Sequence, residues 1–443
     1  MSLDEETAIQ SIPVVLPAPE ETPKPKPERD EPIALDVKLP PRPVLSDIEN
    51  PLVTLIAWTA RIVTGFFLIS NIFPISFITS IAVFGWLQRR MQAIALYGWW
   101  RASPRRERES FNDFLAELGE DAPILRPRWF WRERIVDRMG KISKDHGPGG
   151  FFKMGWTVLT LPIHSLWVNF REGAKGLFAT FMVTGWGCMF MLFAWHYGWL
   201  NSFHKGYEEA LLGLGLGILG SFIFAGAVVY VPMAQAHQTA AGEVAAFFQF
   251  RVVLRLILTR PTIYMALIAG IALASFVFDI PRLVTLNDNF IPNHEGLEPG
   301  QALAFLEGYW FLCSIFFFIA LLLLRSFAAW NYRTAMLEAV QEGTILTSEL
   351  PGRLATWFDN LEIFPQAQLP QPLLLTMFKT AFSLKYRAFL FTLLFVVLFL
   401  FTMRFWFSYF LVYSEYRGIL NHPVIQVPCM DWTPWHLIFG RHE

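Results

Sequence analysis

Four ionisable residues fall inside segments apolar enough to cross a lipid bilayer, which makes them the first place to look for chemistry. They are His196, Asp279, Glu307 and Arg404. In the topology argued below, all four lie in the outer half of the membrane. At about 1.5 Å of rise per residue, Arg404 sits about 13 Å below the outer end of its span and Glu307 about 6 Å below its own. A carboxylate–guanidinium pair is within side-chain reach if those two helices are neighbours. Such a group could line a polar cavity or an ion path. The plainer reading is a structural pair, with the remaining side chains reaching out to the interface.

A second kind of chemistry is interfacial. The run Arg126-Pro-Arg128-Trp129-Phe130-Trp131-Arg132 interleaves guanidinium groups with aromatic rings. Beside a bilayer it reads as a patch that touches anionic headgroups. Basic residues among aromatics also bind single-stranded nucleic acid, but the lipid reading is preferred and no nucleic acid is expected. Between residues 233 and 260 the chain reads as one amphipathic connection. Phe247, Phe250, Val253, Leu254, Ile257 and Leu258 share a broad arc, bordered by Arg251, Arg255 and Thr259 at helical spacing. Apolar area would enter the lipid boundary while the arginines stay with phosphates; a helix packed on a cytoplasmic domain is the alternative. Just before it, Gly213, Gly217 and Gly220 are spaced to let a neighbouring helix approach closely.

Motifs of soluble catalysis are missing. The nine histidines are scattered, and no i, i+4 or Cys-x-x-Cys arrangement supports a metal site. There is no phosphate-binding loop, nucleophile elbow or His-Glu-x-x-His. Gly215-Leu-Gly217-Ile-Leu-Gly220 matches a dinucleotide fingerprint in form only, because it lies within a lipid span with no strand before it. The three cysteines exclude a disulfide scaffold, and Cys188 and Cys313 sit in apolar runs as packing residues. No cofactor is indicated.

The elements that hold these residues follow from composition. Of 443 residues, 54% are hydrophobic and only 16% charged, against about 25% charged in soluble domains. With 43 Phe and 17 Trp, this is the profile of lipid-facing helices with interfacial anchors. The fold class is all-α: a polytopic transmembrane bundle of six spans plus a partial element. Residues 1–50, rich in Pro, Glu and Lys, read as a disordered cytoplasmic tail without a signal peptide. Residues 51–88 form a membrane hairpin, or a span plus a re-entrant half; within it Arg61 must face protein, water or a headgroup. Residues 89–176 form a basic cytoplasmic and interfacial segment, with a short interfacial helix at 155–170. The bundle occupies 177–413, interrupted by a mildly acidic outer loop at 281–302. Residues 414–443 would lie outside. The excess of Lys and Arg on one side places the N-terminus in the cytoplasm and the C-terminus across the membrane. Trp86-Leu-Gln-Arg-Arg-Met-Gln-Ala, Met233-Ala-Gln-Ala-His-Gln-Thr-Ala and Phe327-Ala-Ala-Trp-Asn-Tyr-Arg-Thr-Ala each continue an inward-running span. They form a faint three-fold echo.

The stretch Met233-Ala-Gln-Ala-His-Gln-Thr-Ala-Ala-Gly-Glu-Val-Ala-Ala-Phe-Phe-Gln-Phe, with Val253-Leu-Arg-Leu-Ile-Leu-Thr-Arg-Pro-Thr after it, resembles a family of uncharacterised prokaryotic multi-pass membrane proteins. That family is known as a domain of unknown function, and the likeness covers about residues 177–280. The resemblance implies architecture and a bacterial inner-membrane setting, and no catalytic residue. The leading expectation is a non-enzymatic membrane protein that organises lipids, protein partners or copies of itself. A permease subunit using Asp279, Glu307 and Arg404 is the alternative, and a membrane-embedded lipid enzyme comes third.

Overall fold

The computed structural model describes residues 51–70, 76–118, 150–194, 210–285, 299–365, 383–393, 395, 396 and 399. Among these the secondary structure is helical, without a strand. The helices are α1 (Pro51–Ile69), α2 (Ser76–Ala102), α3 (Phe111–Glu117), α4 (Gly150–Phe193), α5 (Ala210–Ala241), α6 (Phe250–Thr259), α7 (Pro261–Thr285), α8 (Pro299–Gln341) and α9 (Gly352–Asn360). Residues 383–393 are also helical.

Three described stretches are long and apolar enough to cross a membrane: Ile163–Phe193, Leu212–Ala241 and Gly308–Gln341. A fourth arises if α6 and the start of α7, bent by 102° at Arg260, count together. The break expected between the interfacial helix at 155–170 and the span from 177 is absent, because α4 runs unbroken for 44 residues. Packing explains the continuity. A Cβ on Gly173 would lie 1.9 Å from the carbonyl oxygen of Ile81, and one on Gly85 would lie 1.7 Å from that of Asn169. The α2 and α4 backbones are in contact, and only glycine at these positions allows it. The charges that looked like a helix stop are satisfied in place: Arg89 donates to the Asn169 side-chain oxygen at 2.9 Å and Lys175 pairs with Glu172 at 3.1 Å.

The single connecting helix expected over 233–260 is likewise corrected. Helix α5 passes through Pro232 and reaches Ala241. Proline removes the N–H that would bond the Val228 carbonyl, and the Tyr264 hydroxyl donates to the adjacent carbonyl of Val229. The helix ends at Gly242, whose φ of +78° suits glycine far better than other residues. Gly343, at φ +68°, ends α8 in the same way.

A shared pattern then emerges at one end of the bundle. Each of α2, α5 and α8 is followed by a 3-10 turn (Pro104–Glu107, Val244–Phe248 and Thr347–Glu349) and then by a short helix (α3, α6 and α9). These are the three stretches whose sequences echo one another. Their apolar faces merge into one core that includes Trp99, Phe114, Phe247, Leu256, Tyr332, Trp357 and Phe358. Helix α2 packs on α4, α8, α5 and α1, so it is the shared wall of the bundle.

Candidate functional site

At the α5–α6–α7 corner, two tyrosines fix the chain's return. The Tyr230 hydroxyl donates to the Phe247 carbonyl, and Tyr264 holds the Val229 carbonyl. Phe247 and the first turn of α7 are therefore brought back to the level of residues 229–230 on α5. Helix α6 lies across the gap between them. Its Val252, Val253, Leu256 and Ile257 are buried against the bundle. Phe250, Leu254 and Leu258 are exposed on its other side, and at 100° per residue they form a stripe directly beside Arg251 and Arg255.

The expected apolar arc thus divides. Val253 and Ile257 face protein, and Phe247, placed on the lipid surface by the sequence reading, is fully buried against Tyr230. The period of the pattern does not distinguish a lipid-facing apolar stripe from one facing protein. Arg255 is not a bare cation: it pairs with Glu349 at 2.6 Å and reaches the Thr344 carbonyl at 3.3 Å. Arg251 is exposed and has no hydrogen bond or ion pair among the described residues. At the bend, Arg260 makes a two-pronged pair with Glu338, one contact being 2.8 Å. Arg255 therefore faces the segment between α8 and α9, and the exposed apolar edge of α6 runs beside it.

Behind α6 lies a buried polar layer that sequence reasoning missed. Tyr332 of α8 donates to Nδ1 of His237 on α5 at 3.0 Å, and Nε2–H of His237 donates to the Gln249 side-chain oxygen at 2.8 Å. Because Gln249 presents an acceptor, the proton of the neutral ring sits on Nε2. One turn away, Gln235 donates to the Thr180 hydroxyl on α4. Asn331, whose two amide atoms lack partners, and the carbonyl oxygens of Gln235 and Gln238 are buried in the same helices. The only sequence signal was the polar run Gln235-Ala-His237-Gln238 within an otherwise apolar helix.

The other predicted residues are placed as follows. Gly220 lies against Gly187 of α4, where a Cβ would come within 2.8 Å of the Gly187 carbonyl oxygen; Gly213 and Gly217 are buried on α5. Asp279 falls in α7 and Glu307 in α8, with their side chains outside the described set. Arg126, Arg128, Trp129, Trp131, Arg132, His196 and Arg404 lie outside the described residues, as do the tail at 1–50, most of the outer loop at 281–302, and 414–443. Beyond the bundle, Arg105 bonds Glu117 at 2.6 Å, and this contact above all holds its pKa over the ordinary arginine value. No group of three or more His, Cys, Asp or Glu among the described residues is arranged to hold a metal.

The helical fold, the spans and the interfacial corner define a class: an α-helical protein with several helices built to cross a membrane. Comparison with family models, curated proteins and solved structures finds no match for the chain.

Proposed function

We propose that this is a non-enzymatic integral protein of the bacterial inner membrane, with six to seven spans and a cytoplasmic N-terminus. Its interfacial elements organise anionic lipids or partner proteins on the cytoplasmic side. The observation that carries this reading is the edge of α6, where Phe250, Leu254 and Leu258 are exposed next to Arg251 and Arg255. An exposed apolar stripe bordered by guanidinium groups suits the boundary between acyl chains and phosphates. The resemblance of residues 177–280 to multi-pass prokaryotic proteins belongs to the same reading.

The test uses full-length protein in nanodiscs containing lipids brominated just below the headgroup. A fluorophore attached at Cys-substituted Leu254 should be strongly quenched, and one at Arg255 much less. Equal, weak quenching at both positions would remove α6 from the interface. Turnover of a lipid by the purified protein alone would overturn the non-enzymatic part.

A permease subunit is the second reading, and a specific observation favours it. The Thr180, Gln235, His237, Gln238 and Asn331 layer gives the bundle a buried polar lane with several unpartnered amide atoms. Proteoliposomes that carry no solute flux, with or without a gradient, count against it.

A further inference from the structure

Two arginines converge on one tryptophan where α1, α2 and α8 meet. The guanidinium carbon of Arg90 lies 4.3 Å from the ring centre of Trp58, and that of Arg61 lies 5.2 Å from it. The two cations are close enough to oppose each other's charge. Arg90 donates through Nε to the Ser326 hydroxyl at 3.1 Å. That hydroxyl in turn donates to the Leu322 carbonyl at 2.6 Å, so its position is fixed. Among the described residues no acceptor meets the two terminal amino groups of Arg90, and no carboxylate pairs with it. The Arg90 guanidinium, half-buried and with its terminal amino groups unmet among the described residues, is costly in apolar surroundings.

What lies around the pair is apolar and open. On α8, Leu323 is one turn before Ser326 and is 64% exposed. On α1, which runs antiparallel to α8, Val63 lies two residues beyond Arg61 and is 41% exposed. Trp330, one turn beyond Ser326, is also exposed. An anion reaching the arginines therefore approaches over surfaces that suit hydrocarbon, and tryptophan is a side chain that favours the headgroup level of a bilayer. Planar guanidinium forks match phosphate oxygens better than any other side chain does.

We propose that Trp58, Arg61, Arg90 and Ser326 form a binding site for the phosphate group of an anionic phospholipid. The terminal amino groups of Arg90 and the guanidinium of Arg61 hold the phosphate oxygens, Trp58 supports both cations, and the acyl chains run along Leu323 and Val63. The inference rests on the reading that the protein works at the anionic face of a membrane, yet it uses none of the residues of α6.

Native mass spectrometry of the full-length protein in detergent tests it, with short-chain phosphatidylglycerol, phosphatidylcholine and inorganic phosphate as probes. The wild type should retain phosphatidylglycerol in preference to phosphatidylcholine. Arg61→Gln with Arg90→Gln should lower that retention by about tenfold or more, the scale expected for losing charge-assisted contacts. Arg108→Gln, which removes an exposed cation paired with Glu362, should leave it within about twofold on the same scale. Undiminished retention in the Arg61/Arg90 variant overturns the site. Loss in Arg251→Gln with Leu254→Gln, in α6, but not in the Arg61/Arg90 variant overturns it too, while leaving the interfacial function standing. Competition by inorganic phosphate without retention of phosphatidylglycerol overturns the lipid as ligand. Should the double variant fail to fold, the wild type still decides the matter. A phosphatidylglycerol carrying a photoreactive diazirine near its headgroup should crosslink to peptides containing residues 55–63 or 319–330, and crosslinking confined to other peptides refutes the proposal.

Discussion

At the scale of single residues, His237 tests whether the buried polar layer holds the helices together. Its ring joins Tyr332 of α8 to Gln249 at the threshold of α6, so its removal orphans a buried hydroxyl and a half-buried amide oxygen. Each orphan costs about 1–3 kcal/mol. His237→Leu should therefore lower the thermal midpoint of the detergent-solubilised protein by several degrees. A thiol-reactive dye can read the transition, since Cys188 and Cys313 are buried in the fold. An unchanged midpoint would mean the network adds nothing. The Arg260–Glu338 pair is about one-third exposed on each side, which limits it to about 1 kcal/mol. A double-mutant cycle through Arg260→Gln and Glu338→Gln should return a coupling of that size. A coupling near zero would leave the bend at Arg260 to packing alone. Neither partnership was legible in the sequence. His237 and Tyr332 are 95 residues apart, and nothing in a one-dimensional pattern names a partner at that distance. What could be seen was only that polar residues interrupt an apolar helix.

At the scale of elements, the sequence conveyed class and surface better than continuity. The charged stretch at 171–175 argues for a break in α4 and Pro232 for an end to α5, because local propensity treats each as a stop. The fold overrides both through partners elsewhere in the chain. Close glycine contact with α2 aligns α4, and the Tyr264 hydroxyl stabilises the α5 turn beside Pro232. The amphipathic period of 250–259 was read correctly, but period alone did not show that Val253 and Ile257 face protein. The glycine contacts make the sharpest element-scale prediction. At Gly173 an added Cβ meets backbone, which cannot rotate away, so Gly173→Leu must force α2 and α4 apart. A loss of about 3 kcal/mol or more is expected, at the upper end of overpacking costs. It should be visible as a reduced monodisperse fraction on size exclusion after mild heating. Gly155→Leu on the same helix is the control, since nothing lies within 4 Å of its added Cβ. Equal behaviour of the two variants would refute backbone contact between α2 and α4.

At the scale of the whole bundle, topology follows from which ends meet. The turns after α2, α5 and α8 and the short helices that follow them share one core. Trp99 of α2 donates its indole N–H to the Arg333 carbonyl of α8 at 2.9 Å, and Arg108 pairs with Glu362 beyond α9 at 2.8 Å. The three turns therefore sit at the same end of their helices, and in a membrane they must emerge on one side. By the positive-inside rule, the basic residues at 101–108 predict that this side is the cytoplasm. Single cysteines introduced at Glu107, Ala245 and Ser348 should all react with an impermeant maleimide in inside-out vesicles, and none should react in intact cells. The variants are made in a Cys429→Ser background, because native Cys429 lies in the tail expected outside, whereas Cys188 and Cys313 are buried and do not compete. A cysteine at Asp288, in the loop expected outside, should react in the opposite preparation. Labelling of the three turns from different sides would break the shared core, whereas labelling of all three from outside would keep the fold and invert the charge rule. The two failures are distinct because the meeting of the turns rests on packing, while their orientation rests on the distribution of Lys and Arg alone.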